Sequence, residues 1–179
     1  KALKAAVEKP ENVKLFLNVD GNIIQDKAFI QGFTNRKAMK AGVPASDIVF
    51  EITERSDIEN YQILQQIMKH YADQGYEIAL DDVGAGHSGL NRVVNTTPDY
   101  LKADIELVRD IHKYKKKEIM MKLLLDYCNA TGAILIAEGI ETVQELECLH
   151  SLGVHYGQGF FLGKPERAFG NISAESEEI

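Results

Sequence analysis

Short apolar runs alternate with amphipathic stretches along most of this chain. The apolar runs at 14–19, 48–52, 76–81, 100–102, 133–137 and 154–159 predict six strands. Helical spacing predicts helices over 26–42, 58–74, 90–95 and 143–152, and a long helical stretch over 105–131. The basic run 113–117 interrupts that stretch and is expected to be a solvated helix face or a helix start rather than a nucleotide clamp. Such alternation is typical of parallel β-α units joined by right-handed crossovers, in either an open doubly wound sheet or a barrel.

Charged residues stand where four of these strands end, namely Glu51, the pair Asp81 and Asp82, Lys102 and Glu138. An open sheet binds ligands at one switch point, whereas a barrel gathers all carboxyl ends of its strands on one face. The recurrence favours a barrel, although each acid could instead cap a helix or start a turn. Six strands are two fewer than a (β/α)8 barrel needs, so we expect an α/β, TIM-like barrel that is incomplete at its N-terminus.

Composition limits the class of protein. With 179 residues, 45% of them hydrophobic, we expect one domain over 1–169 and a polar acidic tail over 170–179. A net charge of −7 argues against binding to polymeric nucleic acid or to an anionic membrane. No apolar run approaches the roughly 18 residues of a membrane span, and the start lacks a signal peptide's apolar centre, so we expect a cytoplasmic location. Cys128 and Cys148 lack metal-ligand spacing and are expected to be buried or half-buried thiols.

The strand ends also carry hard oxygen donors, which suit Mg²⁺ or Mn²⁺ better than zinc. Adjacent aspartates allow one carboxylate to bridge two ions, and ions about 4 Å apart can clamp a phosphoester displacement. Lys102 could hold the nucleophilic water or offset phosphate charge, or it could form a salt bridge with a neighbouring carboxylate. The candidate donors are Asn18, Glu51, Asp81, Asp82 and Glu138.

Five separate motifs resemble the EAL-domain family of cyclic di-GMP phosphodiesterases, in order and spacing, from about residue 15 to 165. The resemblance implies a TIM-like barrel that uses Mg²⁺ or Mn²⁺ to open cyclic di-GMP to the linear dinucleotide pGpG in bacterial second-messenger signalling. The motifs are Glu51 to Glu54, Ala79 to Ser88, Tyr100 to Asp104, Ala137 to Thr142 and Gly157 to Phe161.

The resemblance also implies residue roles. Asn18, Glu51 and Asp81 would bind one ion, and Asp81 and Asp82 would reach a second. Glu138 would join the metal and water shell, Lys102 would orient the attacking water, and Gln158 would lie near that water. Glu54 would steady the loop after the aspartate pair, which contains Gly84, Gly86, His87 and Ser88, while Asp104 and Glu141 would have supporting or substrate-side roles.

Two departures from the family pattern change the expectation. The Glu-Ala-Leu strand, whose glutamate is a metal ligand in the family, would lie upstream of Lys1, so we expect the isolated chain to be weakly active or inactive. The loop has Val83, Ala85, His87 and Gly89 where the family usually has Phe, Thr, Tyr and Ser. The alternative function is therefore a catalytically weak or inactive receptor for cyclic di-GMP, or a protein-interaction module. A structural remnant that binds neither metal nor nucleotide is a third hypothesis.

The resemblance finally implies partners. We expect a homodimer, and sensory or cyclase domains fused to this one in the full-length protein, which could anchor it to a membrane through other segments.

Overall fold

The computed structural model describes residues 10, 13–19, 38, 40, 42–52, 61–84 and 89–166. The chain divides into two compact units. The first comprises Lys1–Leu80 with Arg92–Pro98, and the second comprises Asp81–Asn91 with Asp99–Ile179. The tail over 170–179 lies outside the described residues, and so does the predicted helix over 26–42 except for residues 38, 40 and 42, of which 38 and 40 are helical.

Parallel strands form the core of the first unit. Strand β1 (Leu15–Val19) pairs with β2 (Ile48–Ile52), and β2 pairs with the first part of β3 (Glu77–Val83). All five residues of β2 are buried, as expected for a strand covered on both faces of a parallel sheet. Helix α1 (Tyr61–Ala72) follows β2, and helix α2 (Gly89–Asn95) follows β3.

An aromatic cluster packs the inside of this unit. The ring of Phe50 lies 4.4 Å from that of Tyr71 and 4.8 Å from that of Tyr76, between ring centres. At the edge of the unit Lys14 forms an ion pair with Glu77. These contacts join β1, β2, α1 and the start of β3.

The second unit repeats the parallel arrangement. Strand β4 (Tyr100–Ala103) pairs with β5 (Ile134–Glu138), which pairs with β6 (Tyr156–Gln158). Helix α3 (Ile105–Val108) follows β4, α4 (Lys115–Thr131) precedes β5, and α5 (Val143–Leu152) lies between β5 and β6. All six strands predicted from the apolar runs are therefore present.

The helical stretch over 105–131 is interrupted, as predicted, although the interruption begins before the basic run. The chain leaves the helix after Val108, forms a short 3-10 turn at Ile111–Lys113, and starts α4 only at Lys115. Asp110 takes the left-handed conformation at φ 56°, and its backbone N–H donates to the Glu145 side chain at 2.8 Å. A carboxylate 35 residues away thus takes a donor that a continuous helix would have used itself.

The basic run contains the start of α4, as expected for a helix start, because Lys113 ends the 3-10 turn and Lys115 to Lys117 begin the helix. Lys115 pairs with Glu118 at 2.5 Å, and Lys117 donates to the carbonyl oxygens of Glu106 and Arg109 at 2.5 and 2.6 Å. Lysines in such local pairs are typical of a solvated helix surface rather than of a nucleotide clamp.

Helix α5 starts with a capping box. The Thr142 hydroxyl accepts from the Glu145 backbone N–H at 3.3 Å, and the Glu145 carboxylate accepts from the Thr142 N–H at 3.0 Å. The helix ends at Gly153, which adopts the left-handed conformation at φ 89° that glycine accommodates without strain.

Both cysteines are free thiols, with Cys128 buried and Cys148 partly buried, which confirms the prediction. Among the described residues, the helices include none with the length and apolar character that crossing a bilayer would require.

Substituting Thr142→Ala should lower the free energy of unfolding by about 1 kcal/mol, because the Glu145 N–H loses its side-chain acceptor. Urea denaturation followed by circular dichroism measures the change. Ser151→Ala is the matched control, since its exposed hydroxyl only bonds the Cys148 carbonyl within the same helix. An equal loss in both variants would contradict the assigned cap.

Candidate active site

The two adjacent aspartates at the end of β3 reach the same cluster. In a regular strand successive side chains point to opposite faces, which would separate Asp81 from Asp82. Asp82 instead adopts φ 58°, a left-handed conformation that few non-glycine residues take. Carboxylate oxygens of Asp81, Asp82 and Glu138 consequently all lie within 4.8 Å of one another.

Lys102 lies inside this cluster. Its ammonium Nζ is 2.6 Å from Glu138 Oε1 and 3.2 Å from Asp81 Oδ1, and the residue is only 4% exposed. The Asp81 oxygen is buried and lacks a well-aligned hydrogen bond within the described part of the chain, so the contact with Lys102 is a charge contact. The Lys102 ammonium thus contacts two of the three carboxylates of the cluster.

Glu138 has a carboxyl pKa that its surroundings raise strongly. Its Oε1 accepts a hydrogen bond from the Gln158 side-chain amide at 2.5 Å. Burial raises the pKa of the Glu138 carboxyl to about 7, and Asp81 adds to this, while the hydrogen bond and charge of Lys102 act in the opposite direction. An added cation would favour the charged form of this group.

The turn after β5 fits closely between its neighbours because it contains glycine. Gly139 has φ 71°, and a Cβ added there would lie 2.3 Å from a side-chain carbon of Ile105. A Cβ at Gly159 would lie 2.1 Å from the Ile140 carbonyl oxygen. Larger residues at either position would push the turn away from α3 or from β6.

A cavity of about 420 Å³ lies beside this turn. It adjoins the cluster through Gln158 and Gly139, and it combines an apolar wall, an exposed aromatic ring, an acid and a lysine. A volume of this size is in the range of small-molecule sites. Its lining includes Ile105, Gly139, Glu141, Gln158, Phe160 and Lys164.

The other predicted site residues are placed as follows. Asn18 and Glu51 are register partners on β1 and β2 of the first unit, with Glu51 buried, and their membership of the metal set stays a prediction. Asp104 caps α3 by accepting from the Glu106 N–H at 2.7 Å. Gly84 adopts φ 107° directly after β3. Outside the described residues lie Glu54, Ala85, Gly86, His87 and Ser88.

Sequence reasoning missed Glu145, Ile105 and Lys164, and it placed Phe160 in the last motif without giving it a role. The Thr142 to Glu145 spacing is a capping-box signature and could have drawn attention to Glu145. Ile105 and Lys164 carry no comparable signal, because their proximity to Gln158 depends on the packing of the turn.

The residues of the cluster fit a divalent cation. All donors are hard oxygens, one buried carboxylate oxygen has no well-aligned donor, and the acids outnumber the described lysine. Asp81, Asp82 and Glu138 are the described residues that would hold such an ion.

The family model described as "EAL domain" matches residues 1–165. The chain belongs to the EAL domain family. A curated relative, "Cyclic di-GMP phosphodiesterase PdeR" of Escherichia coli (strain K12), is 28% identical over 160 residues, which are 88% of this chain and 24% of that protein. The chain therefore spans about a quarter of this relative's length.

Solved EAL structures have the same fold. The manganese and cy-diGMP complex of Klebsiella pneumoniae BlrP1 is 30% identical, with TM-score 0.84 over 92% of this chain and 42% of that one. A standalone EAL protein from Vibrio cholerae O395, in its c-di-GMP bound form, is 27% identical, with TM-score 0.83 over 100% of this chain and 76% of that one. The predicted TIM-like EAL fold, incomplete as a barrel, is confirmed.

Substituting Lys102→Met should lower the free energy of unfolding by about 3 kcal/mol, because it leaves buried carboxylates without their lysine. Added Mn²⁺ should restore part of the loss. Urea denaturation with and without Mn²⁺ measures both effects.

The matched control is Lys69→Met. It removes an exposed lysine on α1 whose Nζ lies 3.0 Å from Oδ1 of Asp73. It should change stability by about 0.5 kcal/mol or less, with no response to Mn²⁺. Equal losses in the two variants would show that Lys102 has no special role in the cluster.

Proposed function

We propose that this chain is a metal-dependent phosphodiesterase domain that hydrolyses cyclic di-GMP to pGpG in bacterial second-messenger signalling. The observation that carries the proposal is the buried Lys102 between Asp81 and Glu138, with Asp82 beside them, in a member of the EAL family. Cyclic di-GMP is bound in the BlrP1 and Vibrio cholerae structures that this chain resembles.

The cofactor in this proposal is Mg²⁺ or Mn²⁺. Asp81, Asp82 and Glu138 would hold such ions, and Asn18 and Glu51 remain further ligands that the family resemblance implies. When bound, the ions would offset the carboxylate charge and polarise phosphate oxygens. An acidic domain can in this way accept an anionic substrate without a basic surface.

The side chains of this chain then orient the reactants. Hydrolysis adds water across one P–O ester bond, so that the water oxygen joins phosphorus and the leaving oxygen becomes a hydroxyl. The Lys102 ammonium orients the water oxygen, and the neighbouring carboxylates accept its proton. Gln158 holds Glu138 in place by donating its amide hydrogen to Oε1. The adjoining cavity accommodates part of the nucleotide, with Phe160 available for stacking on a base.

A binding-only receptor or protein-interaction module is the second candidate. It is favoured by the substitutions Val83, Ala85, His87 and Gly89 in the loop that follows the aspartate pair. Isothermal titration calorimetry with cyclic di-GMP separates the two candidates, because a receptor binds the dinucleotide without consuming it. The phosphodiesterase proposal has four further parts. They are weak activity of the isolated chain, homodimer formation, a cytoplasmic location, and sensory or cyclase domains fused to this one.

Substituting Asp82→Asn should reduce Mn²⁺-dependent pGpG release by the full-length protein by about a hundredfold, because the proposed metal site loses a charged carboxylate ligand. Asparagine also tolerates the left-handed conformation, so the fold should be kept. Chromatography of the nucleotides measures turnover, and circular dichroism checks the fold.

Asp73→Asn, at an exposed position just after α1, is the control and should keep full turnover. Unchanged turnover in Asp82→Asn would refute the proposed role of the aspartate. Binding of cyclic di-GMP by the native protein without any pGpG release would establish the receptor function instead.

A further inference from the structure

The carboxylate of Glu145 joins two segments that follow neighbouring strands. Its Oε1 accepts from the backbone N–H of Asp110 at 2.8 Å, and its Oε2 accepts from those of Glu141 at 2.9 Å and Thr142 at 3.0 Å. Asp110 lies in the segment after β4, which carries Lys102. Glu141 lies in the turn after β5. Glu145 itself is 3% exposed, so these bonds are sheltered from water.

The bond to Asp110 goes beyond helix capping. A capping box needs only the reciprocal bonds between Thr142 and Glu145. The third bond instead comes from Asp110, which has φ 56°, a conformation that is less favourable for aspartate than for glycine. Burial pushes the pKa of the Glu145 carboxyl upward, but the backbone N–H groups of Asp110, Glu141 and Thr142 and the Thr142 hydroxyl outweigh it, and the pKa is lowered.

The Glu145 carboxylate connects the two segments just beyond the last paired residues of β4 and β5. The register of β4 with β5 ends at Ala103 and Ala137, whereas Glu138 pairs with Gln158 on the other side. Beyond that end, the contacts between the segments after β4 and β5 include two that lie close to Glu138 in the chain. One is the packing of Ile105 against Gly139, and the other is the Glu145 carboxylate.

We propose that Glu145 is a positioning residue that holds the turn after Glu138 against the segment after β4, and thereby keeps Glu138 in contact with Lys102. Its importance for turnover rests on the proposed function. The contact that it preserves can be measured without metal or substrate.

Substituting Glu145→Gln removes the hydrogen bond from the Asp110 N–H to Glu145 without removing the bonds of the cap. Glutamine has the same size, and its single oxygen still serves the Glu141 and Thr142 N–H groups. Its NH₂ group would then face the Asp110 N–H, and two donors cannot bond. The cap therefore survives while the connection between the two segments is lost.

Two matched controls separate positioning from stability. Thr142→Ala weakens the cap and leaves Glu145 able to accept from Asp110. Asp110→Gly removes the ion pair with Lys113, suits the positive φ, and keeps the N–H that Glu145 binds. Thermal unfolding of all three variants gives the global stability against which local effects are compared.

The first readout is the hydrogen exchange of the Lys102 ammonium protons, observed by NMR in the metal-free chain. Exchange should be slow in the native chain, because the ammonium is buried against Glu138 and Asp81. It should become about fivefold to tenfold faster in Glu145→Gln, as expected when a charge-assisted hydrogen bond is lost. Both controls should match the native chain once differences in global stability are subtracted.

The second readout is Mn²⁺ affinity by titration calorimetry, which should fall about tenfold in Glu145→Gln and stay unchanged in the controls. Native exchange rates in Glu145→Gln, or equal acceleration in Thr142→Ala, would overturn the proposal. A different result would contradict the proposed function, namely that the native protein releases no pGpG or binds no Mn²⁺. The exchange rate of the Lys102 ammonium protons would still decide the role of Glu145.

Discussion

The structure around the candidate site depends on one buried ammonium group. Taking Lys102 out of water is unfavourable, and the carboxylates of Asp81 and Glu138 offset that desolvation only because they lie at 3.2 and 2.6 Å. A pair of apolar residues would satisfy the same packing with less desolvation. Charges kept together in a buried cluster beside a cavity are therefore better explained by chemistry than by stability. Strand β4, buried along its whole length, places the lysine there.

Much of the fold follows from local sequence. Short apolar runs with intervening amphipathic stretches predict all six strands, and strands covered on both faces, such as β2 and β4, need no polar alternation. The same logic locates Lys102 and Glu138, since each stands at the carboxyl end of such a run. Parallel pairing of β4 with β5, which the alternation of strands and helices predicts, brings both residues to one edge, but their 2.6 Å contact involves a residue beyond the last pair of that register.

The remainder depends on interactions between distant residues. The interruption predicted at the basic run begins already at Asp110, whose N–H donates to Glu145, and no pattern near residue 110 predicts that acceptor. The left-handed backbone of Asp82 is equally hidden, since a strand pattern predicts that neighbouring side chains diverge. At both positions the backbone conformation in the folded chain differs from the one that the local sequence pattern predicts. Such differences are expected to concentrate at functional sites.

The glycines around Glu138 couple the cluster to the cavity. Ile140 donates its N–H to the Gln158 carbonyl at 3.1 Å and accepts from the Phe161 N–H at 3.0 Å, so the turn after β5 is bonded on both sides of one residue to the segment that carries Phe160. Gly139 and Gly159 leave no room for the turn to slide toward Ile105 or toward β6. A displacement of Glu138 would therefore also displace the wall of the cavity. A ligand that fits the cavity meets carboxylates already in position, and this preorganisation reduces the conformational entropy lost on binding.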